Sequence, residues 1–184
     1  MLFLIAVGIV AVMVIGMYNM LVRKRNQVQN VFASVDAILK KRYDLIPNLV
    51  AAVQQYMKHE QETLTEVTRL RAQALSGGMP DKEKFELDTR ISEALRGIMV
   101  AVEKYPDLKA NQNFIHLQQT LTEMEEQISA ARRAYNATVT VYNNAVEMFP
   151  TNMIAKLFDF DRKTVFVIRP LERETADVHA LFQR

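Results

Sequence analysis

From Val28 onward, apolar residues recur at alternating steps of three and four: Val28, Val31, Val35, Ile38, Leu45, Leu49, Ala52 and Tyr56, with Arg42 at the one charged position in the series. This is the 3.5-residue repeat of a helix that buries a single seam. The frame passes through Pro47 without a slip. An interior proline removes an amide and crowds the carbonyl four residues earlier, at a cost of roughly 3 kcal/mol. A loop at that point would break the register, so the pattern predicts a continuous helix, kinked at Pro47, that aims one half relative to the other. Asp44, three residues before the proline, is placed to act as an N-cap-like acceptor for a freed amide just downstream.

The frame loosens at His59 and resumes at Leu64, Val67, Leu70 and Ala74. A single helix over 23–75 would reach about 80 Å. The stretch SGGMPD (76–81) carries every signal of a turn, and Asp81 is the expected N-cap of a second helix with its seam at Ile91, Leu95, Ile98, Val102 and Tyr105. Tyr105-Pro106-Asp107 interrupts the pattern. A third helix follows, with its seam at Phe114, Leu117, Leu121, Met124, Ile128, Ala131, Tyr135, Thr138, Tyr142, Ala145 and Phe149, and Pro150 stops it. Long amphipathic helices with short connections bury their seams on one another, so the predicted class is all-α: an antiparallel bundle over 23–160.

Residues 1–22 carry no charge and read MLFLIAVGIVAVMVIGMYNMLV. As a helix this run is about 33 Å long, enough to cross a hydrocarbon layer of about 30 Å. No basic n-region and no convincing cleavage site accompany it, so a retained anchor is expected rather than a cleaved signal. Arg23, Lys24 and Arg25 follow the span directly, and Tyr18 falls where interfacial residues collect. By the positive-inside rule the N-terminus lies outside and the bundle in the cytoplasm. Gly8 and Gly16 share one helix face, a weak signal for close packing of neighbouring spans.

The tail over 161–184 is less regular. Met153 to Phe160 is short and apolar, and packing across the bundle end is favoured over lying on the membrane surface. Residues 164–168 (TVFVI) suit an extended strand, whose partner would come from a neighbouring subunit, with a short helix after it.

Charge and chemistry narrow the reading further. The chain has no cysteine, which removes disulfides and thiol catalysis. Its net charge of +2 is uneven, with nine Lys/Arg against five Asp/Glu over 23–75, which suits anionic headgroups better than nucleic acid. His59-Glu60 starts like a zinc-protease motif, but position 63 is Thr, so the second ligand is missing. Neither a Glu-x-x-His pair nor a phosphate-binding glycine loop is present, so no metal and no cofactor are expected. Tyr135-Asn136 and Tyr142-Asn143 stand seven apart on one face. They read as a register-setting polar seam in preference to a ligand-binding stripe. Arg42 in its seam needs a carboxylate from another helix or subunit.

Several motifs in order resemble the bacterial LemA family: YNMLVRKRNQV (18–28), KKRYDLIPNLV (40–50), YMKHE (56–60), YPDLKA (105–110), FIHLQQTL (114–121), RRAYN (132–136), VYN (141–143) and PTNMIA (150–155). The resemblance extends to about residue 160, beyond which the tail departs from the expected pattern. It implies a membrane-anchored helical bundle of the bacterial inner membrane with no enzymatic activity, and a partner role beside membrane proteins such as metallopeptidases. Two functional expectations follow. The first is a non-enzymatic scaffold that self-associates through its spans and bundle and organises or shapes the membrane. The alternative is an adaptor tethered to the bilayer that presents an envelope protein. An enzymatic reading would have to rest on Asp44, His59 and Glu60.

Overall fold

The computed structural model describes residues 1–166. These form six helices: α1 (Leu2–Gln54), α2 (Gln61–Leu75), α3 (Asp81–Val102), the single turn α4 (Pro106–Lys109), α5 (Gln112–Glu147) and α6 (Thr151–Leu157). No strand occurs among the described residues. The predicted short helix of the tail lies outside them, as do residues 167 and 168 of the predicted strand.

α1 is one unbroken helix of 53 residues that carries Pro47 in its interior. It does not continue to residue 75. The chain turns at 55–60, where Met57 is fully buried as a plug, and α2 folds back along α1. The loosened frame at His59 was therefore the sign of a helix end. Gly77 and Gly78 both adopt positive φ in the next turn, a conformation open to glycine without steric cost. α3 begins one residue earlier than a capping Asp81 would require: Pro80 is the N-cap, and Asp81 places its carboxylate in the first turn, where the helix dipole favours it. α5 has a true side-chain cap, since Asn111 Oδ1 accepts from the amides of Asn113 and Phe114 at 2.9 and 3.2 Å.

Paired side chains fix the directions. Lys84 meets Asp36 at 2.8 Å and Arg42 meets Asp88, so α1 and α3 run parallel. Arg71 reaches back to Tyr43, and Arg90 meets Glu66 at 3.2 Å, so α2 is antiparallel to both. Phe32 packs near Tyr135, and Arg42 meets Glu125, so α5 runs along the part of α1 beyond the span in the opposite sense. The result is an up-down-up-down bundle distal to about residue 36. Nearer the span, α1 and α5 continue with α6 and the segment 158–166 beside them in place of α2 and α3.

The burial pattern along α1 registers this change. In the proximal part every seventh residue is buried (Leu21, Val28, Val35), whereas the distal part also buries Leu39, Tyr43, Ile46 and Val53 beside Arg42 and Leu49. One partner helix covers a narrow stripe, and three cover a wide one. At the base, the long seam of α5 ends sooner than its spacing suggests: Ala145 is buried and Phe149 is 79% exposed. Pro150 ends the run, and the Thr151 hydroxyl donates its one proton to the Ala145 carbonyl left open at the helix end, while the Met148 carbonyl accepts from the Asn152 amide. α6 then packs beside α1, with Phe158 and Phe160 edge-on to Tyr18 at ring separations of 4.9 and 5.7 Å.

Candidate functional site

Two polar constructions occupy positions that an apolar core would otherwise fill. The first is centred on Arg42, which is 1% exposed. Its guanidinium pairs with Asp88 of α3, and donates to Glu125 of α5 at 2.8 Å, to the Ser92 hydroxyl at 2.9 Å and to the Asp88 carbonyl at 3.3 Å. Arg132 of α5 takes the other oxygen of Asp88. Two cations and two carboxylates thus join α1, α3 and α5 through one fully buried acid. Burial holds the Arg42 pKa below its ordinary value, against the pull of Glu125. In a low-dielectric interior such a set fixes register, because any helix sliding by a turn would strand a charge.

Arg42 was visible in the sequence as a charge in a seam. Asp88 carries the same signal, since extending the α3 seam back from Ile91 by three lands on it. Arg132 and Glu125 carry none.

Pro47 has its own solution nearby. The carbonyl it orphans is that of Tyr43, and Arg71 Nε of α2 donates to this oxygen at 2.8 Å. A missing amide leaves an acceptor without a donor, which a guanidinium satisfies and a carboxylate does not. Asp44 is accordingly no cap. It sits exposed within continuous helix, and the described residues include no bond from it to the α1 backbone.

The second construction uses both Tyr-Asn pairs. Asn143 Nδ2 donates to the Lys163 carbonyl and its Oδ1 accepts from the Lys163 amide, each at 2.9 Å. Asn136 does the same for Phe166, at 3.0 and 2.7 Å. The hydroxyls of Tyr142 and Tyr135 donate to the carbonyls of Asp161 and Thr164 at 2.9 and 3.3 Å. Each step of seven along α5 therefore matches a step of three along the segment 161–166, in reverse order. Seven residues of helix rise about 10.5 Å, and three residues of extended chain cover about 10 Å. The stripe reads an extended backbone, with each carboxamide imitating the paired amide and carbonyl of a neighbouring strand.

This corrects the strand expectation for 164–166. The backbone there finds its partners on α5 of the same chain, so no neighbouring subunit is needed for it. The Tyr-Asn stripe likewise joins a helix to a strap, where a seam between helices was expected. Burial pushes the Tyr135 phenol up to about 12, with the charge of Asp81 adding to it, and burial also raises Tyr142.

The strap ends in an aromatic cluster at the foot of α3. Phe166 stacks against Phe85 and meets Tyr135 edge-on at 5.1 Å, with Phe32 close by. Arg132 lies over the Phe166 ring at 5.6 Å, which links the strap directly to the buried charge set. Tyr18, Arg23, Lys24 and Arg25 sit at the other end of the strap, and Arg25 lies over Phe160 at 5.0 Å. His59 and Glu60 stand in the distal turn, where Glu60 accepts from the Tyr105 hydroxyl at 2.6 Å. No group of three or more metal-ligating side chains converges among the described residues.

α1 includes a stretch of mean hydropathy 2.4, long and apolar enough to cross a membrane, and its first ten residues are all exposed. Comparison with known proteins agrees with an anchored bundle. The model of the LemA family matches residues 31–180, so the likeness continues through the strap and past residue 160, where the sequence seemed to depart. Protein LemA of Metamycoplasma hominis is 27% identical over 97% of this chain and 82% of its own length. Magnetosome protein MamQ 2 of Paramagnetospirillum magneticum is 31% identical over 52% of this chain, and MamQ of Magnetospirillum gryphiswaldense is 29% identical over the same share; each match covers 35% of the relative. The chain is a membrane-associated helical protein, and it belongs to the LemA family.

Proposed function

We propose that this chain is a non-enzymatic scaffold of the bacterial inner membrane, which self-associates through its span and bundle and organises the bilayer around it. The observation that carries the reading is mechanical. One helix runs unbroken from the apolar span into the bundle, and the bundle is fastened to that same helix by Arg42, Asp88 and Glu125. The tilt of the span and the direction of the bundle are thereby coupled. Gly8 and Gly16 carry no side chain, which would let a second span approach the helix closely. The MamQ relatives are named for a cell structure, the magnetosome, and not for a reaction.

Light scattering of the full chain in several mild detergents tests this reading. A multiple of the monomer mass is expected, and a strictly monomeric mass throughout contradicts it. Cross-linking in native membranes separates it from the adaptor alternative, which requires a single foreign partner in place of self-products. For the proposed cytoplasmic bundle, Ser76→Cys is expected to resist an impermeant thiol reagent in intact cells; labelling from outside reverses the orientation.

A further inference from the structure

The base of the molecule carries an unusual concentration of exposed apolar side chains. Met148 and Met153 are each 63% exposed, Leu157 70% and Phe149 79%. Met153 and Leu157, four apart, form the outer stripe of α6, with Phe149 exposed in the turn before it, while Ile154 and Ala155 face the core. α6 is therefore apolar on both sides, a pattern that calls for two apolar surroundings. The bundle provides one of them.

The depth of the corner identifies the other. Val14 and Met17, within the span, are partly covered and pack against the core, and Leu21 is completely buried. Val14 lies about 13 Å along α1 from Arg23, the first charge after the span. Parts of the bundle base must therefore descend beside α1 to a level where the uncharged helix is in hydrocarbon. Phe158 and Phe160 sit around Tyr18, at the interfacial level. Lys156 is exposed beside the stripe, where its long stem can lift the ammonium to the headgroups.

We infer that the α5–α6 corner is a second membrane element, whose Met148, Phe149, Met153 and Leu157 enter the acyl region of one leaflet beside the span. The bundle is then held by two contacts, which removes its freedom to swing about the anchor. This rests on the anchored reading of residues 1–22, and it adds a membrane contact to the core packing expected for Met153 to Phe160, which the buried Ile154, Ala155 and Phe160 make.

The native chain has no cysteine, so nitroxide labels can be placed singly at Phe149→Cys, Met153→Cys and Leu157→Cys in the full chain. Val10→Cys in the span and Val100→Cys on distal α3 serve as references. The protein is reconstituted in vesicles of phosphatidylcholine mixed with phosphatidylglycerol, and label collisions with oxygen and with a water-soluble nickel chelate are compared. The three corner sites are expected to favour oxygen, as Val10 does, with Val100 showing the reverse order. Corner sites that behave like Val100 overturn the proposal while leaving the anchor intact. Shielding from both colliders overturns it in favour of a protein surface covering the corner. A Val10 site open to nickel overturns the anchored reading itself.

Discussion

The distal and proximal halves of the bundle solve the same burial problem with different means. Distal to residue 36, helices surround α1, and the core is wide enough to bury Arg42 and Asp88 at the centre of a four-membered charge set. Proximally, two helices alone cannot enclose a core. An extended strap lies along the groove between them, held by side chains that imitate strand pairing. Helices packed on helices share one periodicity, so apolar seams align them and the buried charge set fixes the register. A strap on a helix has no ladder of its own, and the Tyr-Asn repeat supplies one.

The largest effect is expected where the distal half is tied together. Asp88→Ala leaves Arg42 buried against only the half-exposed Glu125, and full-chain stability in detergent, read by chemical denaturation, should fall by about 3–5 kcal/mol. A loss below about 1 kcal/mol would remove the charge set from its place at the centre of the distal half. In the proximal half, Asn143→Ala together with Asn136→Ala removes four strap bonds while the distal helices keep theirs. The expected cost is about 1–1.5 kcal/mol for each position. Limited proteolysis after Lys163 should accelerate in this variant without change at α2 or α3.

A smaller effect tests the pairing of Arg71 with the proline carbonyl. Arg71→Ala should cost about 1–2 kcal/mol in the native background, and less once Pro47→Ala restores the helical amide for Tyr43. Equal costs in the two backgrounds would mean that Arg71 acts elsewhere. The last effect, of similar size at most, concerns pH. Tyr135 has a folded pKa of about 12 against an ordinary value near 10. The neutral phenol therefore contributes stability that is fully present below pH 10 and is lost as pH rises toward 12. After screening, the loss should be at most about 2 kcal/mol, and Tyr135→Phe should abolish this part of the alkaline slope.

How much of this was legible follows from where the information resides. The helical frame through Pro47 was readable because periodicity survives a single missing amide. The end of α1 at Gln54 was less so, since apolar residues from α2 resume at compatible spacing after the turn. Arg42 announced a buried partner, and Asp88 could have been nominated from its own seam position. The strap was not legible, because its recognition needs two unlike rises, of helix and of extended chain, to coincide in space. The core packing of α6 was legible in its apolar content, whereas the exposure of Met153 and Leu157 was not, because so short a run does not show which face the bundle leaves uncovered.

The contrast between the halves is tested most directly by residue-resolved hydrogen exchange on the full chain in a lipid nanodisc. The Lys163 and Phe166 amides should exchange slowly, and both should become fast in Asn143→Ala with Asn136→Ala while amides of α3 keep their protection. Fast exchange at Lys163 and Phe166 in the native chain would contradict the strap as the element that completes the proximal half.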